Sequence, residues 1–383
     1  MEDLLRLAAR AEKQNIPWAD IETALASHVT AMQKTPQPEQ YHGEGDVWTH
    51  TKMVCECLVA QAEFAALPRE TRTALLLAAL LHDIAKPVTT RWEDGRWTAP
   101  NHAPTGARMA RELLWDSLPG SPEKQQLRET VCLLIRYHST PPHAVDDPCG
   151  SRKLRAIAEN GALCPMFSLR LLCLLSRADA LGRVSVDQEA MLEQVQLCQE
   201  FASECGCLDG PYPFPSAYTK YAYLSGRDVP PEVPLYDDTW GQVILLSGLP
   251  GTGKDTWIRE NCPELPMISL DGIRKELGIS PRENQGRVAE EAQQRAKQLL
   301  RQKKPFVWNA TNITPATRQK LVSLFADYGA SVKLVYLETG SAVRRQRNLS
   351  RPQPVPEQAV AKMLSQLTPP EGKEAHCVLW ENV

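Results

Sequence analysis

A glycine-rich sequence in the second half of the chain has the spacing of a phosphate-binding loop. The apolar run 243–247 (VILLS) is followed directly by G-x-x-x-x-G-K, formed here by Gly248, Gly251, Gly253 and Lys254. Glycines let backbone N–H groups approach phosphate oxygens closely, and the start of the next helix and the lysine supply positive charge. A glycine-rich turn alone is typical of a structural turn, but the lysine and the preceding strand favour a nucleotide site.

The residue after the lysine departs from this motif. Position 255 is Asp rather than the Ser or Thr whose hydroxyl ligates Mg²⁺. A carboxylate can also ligate Mg²⁺, although it adds negative charge beside a triphosphate. The sequence therefore predicts ATP or another NTP with Mg²⁺ at this loop, with Asp255 near the metal and Thr256 able to share its role.

Further charged residues follow the loop. Asp271 comes after the strand-like run PMISL, where a carboxylate could accept a proton from an attacking hydroxyl, and Arg274 on the same helix side could hold a phosphate. Alternatively, Asp271 is a helix N-cap and Arg274 a surface residue. In SAVRRQRNLSR, Arg347 and Arg351 are four residues apart, so we expect them on one helix face. They are either lid arginines that neutralise a transferred phosphoryl group or part of a solvated basic run.

Histidines are concentrated in the first half of the chain. Six of the eight lie between His42 and His143. Helical spacing from neighbouring apolar residues predicts that four polar sites point inward from four helices, namely His50, His82-Asp83, His138 and Asp179. A single inward histidine is usually a hydrogen-bonded core residue, whereas several buried imidazoles and carboxylates are costly unless they are paired or bind metal. The pattern favours a site for one or two cations.

Two types of sequence surround these residues. Leu and Ala recur at helical spacing up to about residue 207, residues 211–234 contain six prolines, and short apolar runs then alternate with helical stretches. We therefore expect a multidomain protein: an all-α domain (1–210, beginning with a helix over residues 1–13), an extended proline-rich connector (211–238) and an α/β domain with a parallel sheet (239–383).

The net charge of −3 is a cancellation between these regions. Residues 1–240 hold 23 Lys and Arg against 32 Asp and Glu, whereas residues 241–383 hold 20 against 14. A basic C-terminal region suits a polyanionic partner such as a nucleotide or nucleic acid. The eleven cysteines include no C-x-x-C pair, and no apolar run is long enough to span a membrane, so we expect a cytoplasmic protein without a membrane partner.

The order of histidines and aspartates resembles the HD phosphohydrolase superfamily over about residues 40–205. HDIAKP, NHAPTGARMARELL, IRYHS and RADALGR are also similar to the HD domain of some bacterial tRNA nucleotidyltransferases. The resemblance implies one or two divalent transition metals, with Mn, Co, Ni, Fe, Zn and Cu not distinguished. It assigns one ion to His50, His82, Asp83 and Asp179, and a second, bridged by Asp83, to His102 and His138. Lys86 and Arg183 would bind the phosphate; the alternative interpretation is that both are solvated surface cations.

Residues 241–383 resemble the 5′-OH polynucleotide kinase branch of P-loop kinases. The likeness rests on the loop, on DGIR, which begins at Asp271, on WNATN, where Asn309 replaces a frequent aspartate, and on the arginine segment. It implies triphosphate binding by Lys254, a general-base role for Asp271, acceptor-phosphate contact by Arg274 and a lid clamp of Arg347 and Arg351. With Asn309 in that place, we hypothesise that Asp255 has taken over an acidic metal-site function.

Together the halves resemble bacterial bifunctional end-healing enzymes, in which an HD phosphoesterase is fused to a P-loop polynucleotide kinase. The resemblance implies removal of 2′,3′-cyclic, 2′- and 3′-phosphates, phosphorylation of a 5′-OH, RNA or DNA ends as partners, and a separate ligase downstream. Two alternatives stay open: a nucleotide-pool enzyme that joins a nucleotidase to a nucleoside or other small-molecule kinase, and a non-catalytic, NTP-binding RNA sensor.

Overall fold

The computed structural model describes residues 16–38, 40–116, 118, 121–280 and 283–383, together with residues 6, 8 and 9. The chain divides between Tyr212 and Pro213 into two compact units. The helix predicted for residues 1–13 lies largely outside the described residues.

The first unit is helical, as the leucine and alanine spacing predicts. Its helices are α1 (Trp18–Ala24), α2 (Ala26–Gln33), α3 (Val47–Ala60), α4 (Ala62–Ala66), α5 (Arg69–Leu81), α6 (Lys86–Thr89), α7 (His102–Trp115), α8 (Pro122–Tyr137), α9 (Gly150–Ala158), α10 (Leu169–Leu181) and α11 (Gln188–Glu204). Short 3₁₀ turns lie at Pro141–His143 and Glu159–Ala162. A small antiparallel ribbon that the sequence did not predict, β1 (Arg91–Glu93) and β2 (Arg96–Thr98), lies between α6 and α7.

Helix α5 forms the centre of this unit. Every residue from Thr73 to Leu81 is buried, and the helix packs against α3, α8 and α10. A helix that is apolar on all sides is stable only when other helices surround it. Its end at Leu81 therefore brings the next two residues, His82 and Asp83, into the middle of the unit.

The second unit is an α/β structure with a five-stranded sheet. Its elements in chain order are α12 (Ala217–Leu224), β3 (Gln242–Ser247), α13 (Lys254–Asn261), β4 (Met267–Ser269), α14 (Leu270–Glu276), α15 (Gly286–Arg301), β5 (Val307–Asn309), α16 (Pro315–Asp327), β6 (Ser331–Glu338), α17 (Ser341–Leu349), α18 (Glu357–Gln366) and β7 (Cys377–Asn382). The strand order is β4-β5-β3-β6-β7, and all pairs are parallel.

Strand β3 lies at the centre of the sheet. Its run from Val243 to Ser247 is fully buried, as expected for a parallel strand covered on both faces. Strands β3 to β6 confirm the prediction from the short apolar runs of the sequence, whereas β7 was not predicted. Because ligands of open α/β sheets bind at the carboxyl ends of the strands, the loop after β3 is placed for binding.

The proline-rich segment 211–238 is not extended throughout. Helix α12 lies inside it, capped by the side chain of Ser216, which accepts a hydrogen bond from the Thr219 N–H at 3.0 Å. The prolines fall before Ser216 and after Arg227, where they do not interrupt helical hydrogen bonds. Among the described residues, no helix combines the length and the apolar composition that crossing a membrane requires.

Candidate functional sites

Four helices of the first unit bring their polar residues to one buried cluster. His50 lies in α3, Asp179 in α10, His82 and Asp83 follow α5, and His138 follows α8. All five are at most 3% exposed. His50 Nε2 lies 3.0 Å from Asp179 Oδ1 and 3.9 Å from Asp83 Oδ2. The predicted inward orientation of these side chains is what the structure shows.

His102, the first residue of α7, completes the cluster. Its Nε2 lies 3.7 Å from Asp83 Oδ1 and 3.4 Å from His138 Nε2. Among the described residues, donor atoms within 4.8 Å of one another occur in four sets. Three of them lie in this cluster: His50, His82 and Asp83; Asp83, His102 and His138; and His82, His138 and Asp179. The residues that the resemblance assigns to two ions therefore form one continuous cluster with Asp83 in its middle.

Hydrogen bonds to backbone carbonyls fix the orientation of the imidazole rings. His82, His102 and His138 each donate Nδ1–H to the carbonyl three residues earlier, at 2.8, 2.8 and 2.7 Å. His50 Nδ1 lies 3.2 Å from the Gly182 carbonyl. Such contacts orient Nε2 towards the cluster, as metal-binding histidines require.

Two buried atoms in the cluster lack hydrogen-bond partners. They are His82 Nε2 and Asp83 Oδ1. A buried polar atom without a partner costs roughly 1–3 kcal/mol, which a metal–ligand bond would offset. The donor set of imidazoles and carboxylates suits divalent transition metals. The residues present therefore fit a metal centre.

The protonation of the cluster suits ligation. Burial, with neighbouring His82 and His102, lowers the pKa of His138 to about 3. Burial alone would raise the pKa of the Asp83 carboxyl, but His82 and Lys86 hold it well below its usual range. Burial opposes the charge on His50, yet Asp179 and Glu44 raise its pKa, so an ion at Nε2 would compete with a proton.

The two predicted phosphate-binding cations lie against the cluster rather than on an open surface. Lys86 Nζ is 2.8 Å from Asp83 Oδ2 and donates to Gln37 Oε1 at 2.8 Å. Arg183 Nη2 is 2.8 Å from Asp179 Oδ2. Lys86 and Arg183 line a cleft of about 250 Å³ together with Asp83 and Asp179. Their alternative interpretation as solvated surface cations is wrong.

Glu44 is a residue of this site that sequence reasoning missed. Its buried carboxylate accepts from His42 Nδ1 at 2.8 Å and from the Val184 N–H at 2.9 Å, and it lies 3.0 Å from His50 Nδ1. Burial alone would raise the pKa of Glu44, but His42 and His50 hold it well below its usual range. The only signal in the sequence is a carboxylate six residues before His50, in a segment without periodicity.

In the second unit, the loop after β3 has the backbone that phosphate binding needs. Gly248, Gly251 and Gly253 have φ values of 147°, 84° and 85°. Residues with a side chain rarely adopt these values, so the glycines are required for the loop's shape. Lys254 Nζ donates to the carbonyls of Gly248 and Leu249 at 2.9 and 2.8 Å, and burial lowers its pKa to about 8. The ammonium group is thus held inside the loop.

The two departures from the P-loop pattern are in contact. Asn309, at the end of β5, donates from Nδ2 to Asp255 Oδ1 at 2.6 Å. Thr256 is exposed, and its hydroxyl accepts from Arg259 Nη2 at 3.2 Å. Asp255, rather than Thr256, therefore faces the end of the neighbouring strand where an aspartate was expected.

Asp271 lies between two arginines. Arg274 forms an ion pair with Asp271 Oδ1, and Arg351 Nη2 lies 3.3 Å from Asp271 Oδ2. Partial desolvation of this largely exposed side chain opposes its charge, but Arg274 and then Arg351 lower the pKa of Asp271. The N-cap interpretation of Asp271 is wrong, because Ser269 caps α14 by accepting from the Gly272 N–H at 3.2 Å.

The arginine segment packs against the loop. The Arg344 carbonyl lies 2.7 Å from where a Cβ on Gly251 would stand, and Arg347 Nη1 lies 3.2 Å from the corresponding position on Gly253. The expectation that Arg347 and Arg351 share a helix face is wrong, because α17 ends at Leu349. The turn after the helix carries Arg351 to Asp271 instead.

Comparison with known proteins gives one family match in each unit. Residues 47–183 match the family described as HD domain, and residues 243–370 match the family described as AAA domain. The chain is 44% identical over 104 residues to the "Multifunctional CCA protein" of Actinobacillus pleuropneumoniae serotype 5b (strain L20), and equally to that of serotype 7 (strain AP76). Each match covers 27% of this chain and 23% of the relative, so the chain spans about a quarter of the length of these relatives.

The chain therefore holds an HD domain and, after it, a P-loop kinase-like domain with a parallel sheet. This combination supports an enzyme that modifies nucleotides or nucleic acids.

Proposed function

We propose that the protein repairs broken nucleic-acid ends. The HD domain hydrolyses 2′,3′-cyclic phosphates and 2′- or 3′-phosphates, and the kinase-like domain transfers the γ-phosphate of an NTP to a 5′-OH. The observation that carries the proposal is that one chain contains two separate sites for phosphate chemistry, a histidine–aspartate cluster flanked by Lys86 and Arg183, and a glycine loop flanked by Asp271. Strand breakage through a 2′-OH leaves these two ends together.

In the HD domain, the histidine–aspartate cluster would hold divalent transition metal ions, which would lower the pKa of bound water and so supply hydroxide near neutral pH. Asp83 is suited to link two ligand sets, because Oδ1 faces His102 and Oδ2 faces His50 and His82. Lys86 and Arg183 hold phosphoryl oxygens and neutralise the charge that develops on them. Hydrolysis of a cyclic phosphate breaks one P–O ester bond, and a second hydrolysis releases inorganic phosphate.

In the kinase-like domain, Lys254 leaves the loop carbonyls and binds the β- and γ-phosphates. Asp271 accepts the proton of the 5′-OH, whose oxygen bonds to the γ-phosphorus as the bond to the bridging oxygen breaks and the nucleoside diphosphate leaves. Arg274 holds the phosphate of the acceptor strand. Arg347 and Arg351 bind the transferred group, and when Arg351 exchanges Asp271 for phosphate the base regains proton affinity.

We also propose that Asp255 ligates Mg²⁺ in place of the P-loop hydroxyl. The hydrogen bond from Asn309 leaves Asp255 Oδ2 available for the ion and fixes the rotation of the carboxylate. One carboxylate is then shared between the two positions where P-loop proteins commonly carry a hydroxyl and an aspartate.

RNA or DNA ends are the proposed partners, together with a separate ligase that joins the repaired ends. The proposed location is the cytoplasm, where a reducing environment maintains free thiols such as the eleven of this chain.

The function is tested with an oligoribonucleotide that carries a 5′-OH and a 2′,3′-cyclic phosphate. It is incubated with ATP, Mg²⁺ and Mn²⁺, and both ends are analysed by mass spectrometry. We expect a gain of phosphate at the 5′ end and its loss at the 3′ side. The same reaction with nucleosides and mononucleotides tests the nucleotide-pool alternative, which requires their preference over the oligonucleotide. Nucleotide binding without transfer at any end would indicate a non-catalytic sensor.

A further inference from the structure

The β1–β2 ribbon presents two tryptophans beside the metal cleft. Trp92 and Trp97 are opposite each other in the ribbon, with ring centroids 5.1 Å apart and planes at 73°. Trp92 is 59% exposed. Asp94 and Gly95 have φ values of 50° and 76°, which close a tight hairpin turn. Most of the Trp92 indole therefore stays accessible to a ligand, with its buried part in contact with Trp97.

Both ends of the ribbon are attached to residues of the cleft. β1 follows α6, whose first residue is Lys86, and after β2 the Ala99 carbonyl accepts from His102 Nδ1 at 2.8 Å. Trp97, Thr98 and Ala99 line the cleft together with Asp83 and His102. Strand β2 therefore contributes Trp97 and Thr98 to one wall of the cleft, and Trp92 packs on Trp97 from the opposite strand.

We propose that this ribbon is the nucleobase subsite of the HD domain. Trp97 stacks on the base of the terminal nucleotide, whose phosphate lies at the metal cluster, and Trp92 stacks on the adjacent base. The proposal rests on the proposed function and adds its substrate class, single-stranded polynucleotide ends of any sequence. Aromatic rings bind all bases because every base has a π-face.

The covalent link between phosphate and base, and the positive charge on the ribbon, favour the end of a polynucleotide strand as the ligand. A phosphate held by Lys86 and Arg183 is esterified to a ribose, so the attached base has to lie against a neighbouring wall of the cleft. Arg96 is exposed on the ribbon, and Arg91 is exposed beside Glu93 at 2.8 Å. Both guanidinium groups are within the element that carries the indoles and can bind the phosphates of the approaching strand.

The test compares two substrates of the full-length, Mn²⁺-loaded protein. One is a ten-nucleotide RNA with a 2′,3′-cyclic phosphate and a fluorophore that blocks its 5′ end; the other is glycerol 1,2-cyclic phosphate, which has the same phosphate ring but no base. Stacking on an aromatic side chain changes affinity by about five- to 160-fold per base. For Trp97→Ala we expect KM for the RNA to rise about tenfold, with hydrolysis of the glycerol ester within twofold of wild type.

Further variants separate stacking from structure. Trp97→Phe should restore most of the RNA affinity, and Trp92→Ala should raise KM for the RNA about threefold. Val186→Ala, at an exposed position outside the ribbon, is the control and should leave the kinetics of both substrates unchanged. Unchanged RNA kinetics in both tryptophan variants, or equal losses on both substrates, would overturn the subsite. If wild type hydrolyses neither substrate, the proposed function itself is wrong. If wild type hydrolyses both with equal KM, only the subsite is wrong.

Discussion

The two sites differ in how far they are assembled before they bind anything. In the HD domain, Asp83 is 1% exposed and the backbone carbonyls already orient the imidazoles. In the kinase-like domain, the Asp271 side chain is 62% exposed, and Lys254 and Arg351 are held by partners that binding has to replace. In the proposed function, the first site is preorganised for metal, whereas the second has to exchange internal contacts for contacts with phosphate.

This difference follows from the chemistry that we propose for each site. A metal centre gains affinity when its ligands are fixed at the right distances, because little has to be ordered on binding. A phosphoryl-transfer site has to admit a nucleotide and an acceptor strand and then close on them. We therefore expect substitutions in the HD cluster to change metal binding directly, and those in the kinase-like domain to change nucleotide binding or transfer.

The largest effect is expected for Asp83→Asn. Loss of the charge that both ligand sets share should lower hydrolysis of a 2′,3′-cyclic phosphate by about three orders of magnitude, with a loss of bound Mn²⁺. Metal analysis and phosphate release measure the two quantities. Kinase activity should stay within twofold of wild type. Full metal content in the variant would contradict the central position of Asp83.

Asp255→Ala tests the metal site of the kinase-like domain. We expect the Mg²⁺-dependent transfer rate to fall about a hundredfold, because the proposed carboxylate ligand is removed. Calorimetric titration with ATP should also show that Mg²⁺ no longer strengthens binding, as it does for wild type. Thr256→Ala is the matched control, since its hydroxyl bonds to Arg259 on the surface. Retention of full activity by Asp255→Ala would remove the hypothesis.

Glu44→Gln tests the second layer of the metal cluster. The substitution keeps the shape but removes the charge that accepts from His42 and contacts His50, so His50 should lose part of its basicity as a ligand. Mn²⁺ affinity should fall on the order of tenfold, the lower end of the range for such partners. Competition with a chromogenic chelator measures this. Glu56→Gln, on the outer side of α3, is the control, and equal affinity in wild type and Glu44→Gln would contradict the role.

A pH effect of similar or smaller size is expected in the other domain. Burial lowers the pKa of Lys254 to about 8, so the lysine is charged below pH 8 and becomes neutral above it. Phosphate stabilises the charged form, so nucleotide binding above pH 8 takes up a proton, and affinity falls as pH rises. We expect Kd for Mg²⁺-free ATP to increase up to about tenfold from pH 7 to 9. Lys254→Met, which binds more weakly throughout, should show no such slope.

Much of both sites could be predicted because their signals are local in the chain. The loop from Gly248 to Lys254 needs only one strand and one helix around it, and the inward side of α3, α5 and α10 follows from the spacing of apolar residues. The apolar run TALLLAALL, which Pro87 helps to end, also places His82 and Asp83 at the close of α5. In each case neighbours in sequence decide the geometry.

What could not be predicted depends on contacts between distant segments. Glu44 reaches His50 through a loop without periodicity, and Arg351 reaches Asp271 because α17 ends two residues before it. The ribbon with Trp92 and Trp97 is three residues per strand, too short to give an alternating pattern. Strand β7 is added at the sheet edge by pairing with β6 alone.

The central claim is that two independent sites in one chain act on the two ends of a broken strand. It is tested most directly by giving wild type, Asp83→Asn and Asp271→Asn the same oligoribonucleotide with a 5′-OH and a 2′,3′-cyclic phosphate, and following both ends in one reaction. We predict that wild type changes both ends, Asp83→Asn phosphorylates only the 5′ end, and Asp271→Asn removes only the 3′-side phosphate. Loss of both reactions in either variant, or no reaction of wild type at either end, would contradict the account.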